Sequence, residues 1–440
     1  MSMQRRVVIT GLGIVSPLGS DLATFWHLLS RGESGIGPIT RFDTSPFRSS
    51  LAGEVRDFDA SDFIPAKRLR RMGRVAHFAV ASALMAVRDA NLDLARENHE
   101  ETAVAFGTSL AGLKEALEAH DSMLEKHYQH TNPFIMTTTF PNAVSSEVAI
   151  ALGVQGECET YSIGCSSTAN AIGRAFQMIR SGDAELAITG GAEAPLHPSI
   201  FSAMDAARTL AADEGGTVRN LPRPFDRSRC GMVIGEGAGC LVLEEYEHAR
   251  RRGAPMYAEI EGWGFTCDAY SMVKPLESGK EQQRAIERAL TAAHWFPEEV
   301  DYVNACGLGT IDMDAVETTA IKGALGAHAY KTPISSFKAA LGHAFAASGA
   351  FQMIGTVLAM EHQYVPPTLH LTTPDPACDL DYVAGSGRLV DIRRALINSF
   401  GFGGKNIVLA MSHLGAAVPQ EVPVGAVWGG MVCDEPVGVS

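Results

Sequence analysis

Short β-branched runs alternate with alanine-rich stretches of helical period along nearly all of the 440-residue chain, and no Pro/Ser linker or low-complexity tract interrupts them. Such alternation calls for an α/β layered fold, because each strand and each helix has an apolar face that the other kind of element must cover. Strands are expected at 6–10, 102–106, 185–189, 239–243, 257–260, 300–304, 331–335, 395–399 and 407–412. Helices are expected at 21–30, 68–90, 112–125, 145–152, 166–181, 282–293, 313–325 and 342–360. A faint echo runs through the pattern. ETAVAFGTS and VDYVNACGLGT each lead from an acidic residue through a strand into a glycine turn, while AELAITGGAE and ALINSFGFGG each end a strand in paired glycines. The expectation is two similar halves, 1–250 and 251–413, with a Gly/Val/Pro-rich extension over 414–440.

The composition narrows the partners. Lys and Arg number 36 against 50 Asp and Glu, a formal charge of −14. That total argues against broad binding to nucleic acid or to an anionic membrane, both polyanions. Eight cysteines (158, 165, 230, 240, 267, 306, 378 and 433) lack the paired spacing of a zinc site or of a small secreted disulfide framework. They read as reduced thiols, and the location expected is cytoplasmic. The start, Arg5-Arg6 followed by VVITGLGIVSPLG, has the look of a signal peptide, but its β-branched character and its glycines favour a first core strand. The uncharged run 339–360 is long enough to span a bilayer, yet it holds His343, Ser348 and Gln352 and is dominated by alanine, so a buried helix is expected.

Four segments carry candidate chemistry. In YSIGCSSTANAIGRAFQMIR, Cys165 stands at a strand-to-helix turn ahead of free backbone N–H groups, whose field favours a nucleophilic thiolate. The alternative is a packed core cysteine. In NACGLGTIDMDAVE, Asp312, Asp314 and Glu317 open a helix and suit its N-terminus as caps. In SSFKAALGHAFAASGA, Lys338 and His343 lie in apolar surroundings, where a buried Lys needs a charge partner such as Glu317. The fourth is the glycine-rich NSFGFGGKN. No P-loop, G-x-S-x-G or H-E-x-x-H occurs, so nucleotide hydrolysis, serine hydrolase and zinc peptidase chemistry lack support.

In this order, and together with RRVVITGLGIVSPLG, GGAEAPLHPSIFSAM, RPFDRSRCGMVIGEGAG, DAYSM and NIVLAMSH, these segments resemble the β-ketoacyl-acyl-carrier-protein synthases of the synthase II type. The resemblance implies a thiolase-like fold of two halves in five α-β-α-β-α layers, and a homodimer or a heterodimer with a ketosynthase paralogue, with 131–140 facing the mate. It implies no permanently bound cofactor, the substrate arm being the phosphopantetheine thioester of an acyl carrier protein. Cys165 matches the family's acyl-accepting nucleophile, His343 its second histidine, Lys338 the lysine upstream and Glu317 the acid paired with it. Phe400, Gly401 and Phe402 match the gating loop, and Thr310 a threonine that holds the pantetheine arm.

Where the family's N-A-H-G-T-x-T carries its first histidine, this chain has Cys306, and Leu308 replaces a further pantetheine-holding threonine. A thiol is a weak donor to a developing enolate, so ordinary decarboxylative elongation is in doubt while acyl loading is not. Ser271 and Lys405 are smaller departures. The leading expectation is a ketosynthase-like acyltransferase forming a C–C bond in a specialised polyketide or fatty-acid-type pathway. The alternatives are non-decarboxylative acyl transfer or cyclisation from acyl-Cys165, and a tunnel-shaping partner subunit. A basic stretch opposes the acidic total: Lys67, Arg70, Arg71 and Arg74 fall on one face if the segment is helical. With Arg68 and Arg208 they match a carrier-protein docking surface of the family.

Overall fold

The structure, a computed structural model, describes residues 5–126, 128, 131–212 and 221–414. Ten strands build its main sheet: β1 (Val7–Val15), β2 (Thr102–Gly107), β3 (Cys158–Tyr161), β4 (Leu186–Glu193), β5 (Gly237–Glu245), β6 (Ala258–Cys267), β7 (Tyr302–Asn304), β8 (Ile334–Ser335), β9 (Arg394–Gly401) and β10 (Lys405–His413). The spatial order is β8-β7-β9-β10-β6-β1-β5-β4-β2-β3. Read outward from the centre, β1-β5-β4-β2-β3 and β6-β10-β9-β7-β8 are the same topology twice. In each half the first two pairings are antiparallel and the last two parallel. The halves join where β1 pairs with β6, Val7 to Ile9 against Ile260 to Ala258. The two sequence echoes fall on equivalent strands, β2 with β7 and β4 with β9.

Among the described residues the principal helices on the sheet are α1 (Arg74–Asp89), α2 (Ala143–Leu152), α3 (Ser167–Ser181), α4 (Lys280–Ala293), α5 (Ile311–Leu325) and α6 (Ala347–His362). The pair α1 and α2 packs outside one half, and α4 with α5 outside the other. Between them, α3 and α6 pack on each other and on strands of both halves, completing five layers. With helices on both faces, β1 has no exposed residue, which explains why its sequence is continuously apolar rather than alternating. The run that resembles a signal peptide is this core strand.

Close packing of strand on helix sets where glycine must stand. A Cβ on Gly11 or Gly13 of β1 would lie 2.2 Å from Ala86 O or 2.0 Å from Ser82 O of α1. In the other half a Cβ on Gly262 or Gly264 of β6 would lie 2.2 Å from Ala289 O or 2.0 Å from Ala285 O of α4. The same glycine pair meets the same helix position twice.

Two expected helices differ. The stretch 68–90 breaks into a short helix, Ala66–Leu69, and α1, because Gly73 is extended and Glu115, distant in sequence, accepts the Arg74 N–H at 2.8 Å. The stretch 342–360 becomes helical only from Ala347. Residues before it leave the helix because the His343 N–H bonds to Val233 O at 2.6 Å, in a bridge to Ile234. Among the described residues no helix is long and apolar enough to cross a membrane. The extension expected over 414–440 lies, from residue 415, outside the described residues.

Replacing Gly13 or Gly264 by Ala should destabilise the protein by about 1–3 kcal/mol through overpacking. A fall in the urea midpoint of either variant is the expected reading; unchanged midpoints would contradict the close approach.

Candidate active site

The chemistry-bearing segments all leave the ends of strands or enter the central helices. Cys165 lies between β3 and α3, Cys306 follows β7, Phe400 and Gly401 end β9, and His343 occupies the turn before α6. This gathers the candidates at the carboxyl ends of parallel strands, the usual location of a site in open α/β sheets. Because α3 and α6 are packed together, Cys165 Sγ and His343 Nε2 stand 3.1 Å apart although 178 residues separate them. On its other side His343 Nδ1 lies 3.1 Å from Ser348 Oγ. The imidazole also stacks on Phe345, with centroids 5.3 Å apart.

Burial governs the electrostatics. It pushes the Cys165 thiol up to about 12, reinforced by Cys306; the Phe402 backbone N–H and the field of Lys338 offset this only in part. Burial, with Lys338 nearby, pushes the His343 imidazole down to about 3. The resting pair is therefore neutral, thiol beside imidazole. This corrects the expectation of a helix-stabilised thiolate: a helix terminus contributes roughly 0.3–1 kcal/mol at an exposed site, too little to offset loss of water around a sulfur in an apolar pocket. The apolar cluster that holds it includes Leu196, Phe201, Met232, Ile234 and Phe345, with Phe402 packed against it. Gly401 belongs there by size, since a Cβ on it would lie 3.4 Å from Cys165 Cβ and 3.0 Å from Ser166 Oγ.

The loop after β7 is held by acids. Glu317 accepts from the Cys306 and Gly307 N–H groups, both at 2.8 Å, and from Asn398 Nδ2 at 3.0 Å. Asp314 accepts from the N–H groups of Leu308, Gly309 and Phe225. These two acids do not cap their own helix; they satisfy the loop that precedes it, and only Asp312 stays exposed. Burial raises both, Asp314 to about 7. Lys338 does not contact Glu317, which corrects the expected ion pair: its Nζ donates to Cys306 O at 2.5 Å and lies 3.9 Å from Cys306 Sγ. The carboxylate is taken by peptide N–H groups, so the lysine reaches it only through its field. Cys306 Sγ–H donates to Phe400 O at 3.3 Å, and burial pushes this thiol up to about 11. Leu308 is buried, while the Thr310 hydroxyl is buried without a hydrogen-bond partner.

The basic residues divide. Lys67, Arg70 and Arg71 are exposed and, with Ala66 and Phe134, line a surface groove, Arg71 lying 5.1 Å over the Phe134 ring. Arg68 pairs with Glu147 at 2.5 Å. Arg74 is held inward on buried Glu236, at 2.9 Å, and over Phe78. The break at Gly73 thus removes Arg74 from the face that the spacing assigned to it. Arg208 is exposed at the end of helix Pro198–Ala206, at φ +53°.

Residues that sequence reasoning passed over are Ser348, Asn398, Gln352 and Glu193. Glu193 accepts from the N–H groups of Ser109, at 2.8 Å, and Leu110, at 3.0 Å, and burial raises it to about 7. Asn398 and Glu193 sit inside segments already conspicuous for their glycines, and Ser348 and Gln352 stand out only as polar residues within an apolar run. No group of three or more His, Cys, Asp or Glu among the described residues is arranged to hold a metal ion.

Known proteins share the fold and much of the sequence. The β-ketoacyl synthase N-terminal domain model matches residues 4–249 and the C-terminal domain model residues 257–372. The 3-oxoacyl-(acyl-carrier-protein) synthase 2 of Synechocystis sp. is 42% identical over 407 residues, covering 92% of this chain and 98% of that protein. That of Staphylococcus aureus is 39% identical over 416 residues, 94% of this chain and 100% of its own. Among solved structures, a type II polyketide synthase ketosynthase in complex with its acyl-carrier protein and bound to the hexaketide superposes with a TM-score of 0.87 at 33% identity, covering 94% of this chain and 100% of that one. The ishigamide ketosynthase/chain length factor gives the same values. With both halves matched, a thiolase-like fold in common and a cysteine against a histidine where those halves meet, the chain belongs to the β-ketoacyl synthase family, resembles its synthase II members, and is an acyltransferase of acyl-thioester condensation chemistry in polyketide or fatty-acid-type pathways.

Proposed function

We propose that Cys165 takes the acyl group from the phosphopantetheine thioester of an acyl carrier protein, and that the two units 1–250 and 251–413 meet to form the site. The carrying observation is the 3.1 Å contact between Cys165 Sγ and His343 Nε2, with the thiol packed in an apolar cluster. Sulfur attacks the thioester carbonyl, and the new S–C bond replaces the bond to pantetheine. The thiol proton passes through Nε2 to the departing pantetheine sulfur. The Phe402 N–H, beside the Cys165 sulfur, is placed to stabilise the oxyanion. Because the Ser348 hydroxyl both donates and accepts, either neutral tautomer of His343 keeps a partner at Nδ1. The unpartnered Thr310 hydroxyl and the apolar Leu308 fit an amide-bearing arm reaching past them.

Condensation follows when an extender thioester loses CO₂ and its carbanion attacks the acyl carbonyl, releasing Cys165. His343 is the imidazole donor for the enolate oxygen in this reading. Cys306, standing in place of a second, has its S–H on Phe400 O. Loss of one oxyanion donor typically costs on the order of 10²–10³ in rate, so decarboxylation is the slow half and loading the facile one. The partner is an acidic carrier protein docking on Lys67, Arg70 and Arg71 near Phe134, with Arg208 as a further contact. A homodimer, or a heterodimer with a ketosynthase paralogue, fits the exposed Met136 and Phe140 within the stretch 131–140.

Cys306→His should raise CO₂ release from malonyl carrier protein by on the order of 10²-fold, with acyl loading on Cys165 unchanged; no gain in a folded variant would show that the missing imidazole is not the limit. Reversing charge at Lys67, Arg70 and Arg71 together should weaken carrier-protein binding on the order of tenfold or more at low salt and leave loading from a free pantetheine thioester intact. Equal loss with both donors would place the defect in the site instead.

A further inference from the structure

Gln352 lies within α6 and is 2% exposed. Its Nε2 stands 3.0 Å from each of three oxygens: Asn304 Oδ1, Ala305 O and Asn398 O. Those acceptors belong to two different segments. Asn304 and Ala305 lead directly into Cys306, and Asn398 leads into Phe400, whose carbonyl accepts the Cys306 thiol. The parallel pairing of β7 with β9 ends at Asn304 opposite Ile397. One residue further on, the carbonyls of Ala305 and Asn398 both turn to Gln352. The amide thus continues a ladder that the strands have ended, at the point where they diverge into the site.

The knot is poor in donors. An amide nitrogen offers two N–H groups to three acceptors. Gln352 Oε1 and Asn398 Oδ1 are buried without partners, and Asn398 Nδ2 is taken by Glu317. Removing the Gln352 donors leaves up to three buried oxygens unsatisfied, a larger penalty than an ordinary hydrogen bond is worth. A carboxylate in its place would add charge where nothing can donate to it. Near its acceptors stand Tyr302 on β7, Cys306 after it and Glu317 on Asn398; the strands packed against α6 carry Glu193, Cys240, Glu244, Glu245, Arg394, Lys405 and His413, Cys165 precedes α3, and α6 itself ends in Glu361 and His362.

We propose that Gln352 is a positioning residue for the condensation half of the reaction: its amide holds the Cys306 segment against the Phe400 carbonyl, while Cys165, on the α3 side, loads acyl groups independently of it. This rests on the reading in which Cys165 loads and condensation takes place beside Cys306, whose thiol stays on the Phe400 carbonyl. The neutral donor matters as much as the shape, so the isosteric acid and an apolar side chain of similar length should fail in different ways.

The test uses the full chain carrying Gln352→Met, Gln352→Glu, Cys306→Ala, or Gln352→Met with Cys306→Ala. Loading on Cys165 is read by intact-protein mass, and CO₂ release from malonyl carrier protein is read separately. Gln352→Met should load normally but lose CO₂ release on the order of tenfold at every pH, as for one or two buried hydrogen bonds. It should add nothing further in the Cys306→Ala background. In Gln352→Glu, burial among acceptors raises the carboxyl pKa, so the protonated acid donates at low pH and CO₂ release falls as pH rises. A parallel loss of loading, a full Gln352→Met effect without Cys306, or a flat pH profile for Gln352→Glu would overturn the proposal. If the wild-type protein takes no acyl group at all, the underlying reading fails instead.

Discussion

The packing of α3 against α6, sandwiched between the two halves of the sheet, is the contact on which the rest depends. The N-terminal approach of α3 carries Cys165 and that of α6 carries His343, so the 3.1 Å thiol–imidazole contact is set by how two core helices meet. The outer layers allow it. Glycine pairs on β1 and β6 let α1 and α4 sit directly on the strands, and the same device in both halves keeps the two leaves equivalent. A site held by core packing has little freedom to drift, as chemistry at sub-ångström tolerance requires.

Burial then decides the charge states. Burial keeps thiol and imidazole neutral, and Glu317 takes peptide N–H groups rather than the Lys338 cation. Glu317 and Asp314 fix the loop that carries Cys306, Leu308 and Gly309, and Lys338 fixes the Cys306 carbonyl. The arrangement is a pre-set frame of hydrogen bonds around a pocket lined by apolar side chains. Within that frame the Cys306 thiol lies on a backbone carbonyl.

Much of this was legible in the residues. Glycine-terminated strands mark β2, β4, β7 and β9, and the echo between them reports the duplication, because equivalent turns need equivalent glycines. Cys165 stands out by its turn position and small neighbours, and His343 by the family resemblance. Tertiary effects were not legible. The break at Gly73 depends on Glu115, forty-odd residues away, and it takes Arg74 off the basic face. The turn at His343 depends on a bridge to Ile234, and an apolar run conceals it. Opposite charges invited a Lys338–Glu317 pair, yet the nearer peptide groups took the carboxylate. A thiolate at Cys165 follows from the helix end alone and is reversed by burial that no local pattern reveals.

The central claim is that Cys165, paired with His343, is the acyl acceptor. Intact-protein mass spectrometry after exposure to acyl-carrier thioesters tests it most directly. The account predicts one acyl adduct on the wild-type chain, none on Cys165→Ala, and slowed formation on His343→Ala. An unmodified wild-type protein, or equal labelling of Cys165→Ala, would contradict it.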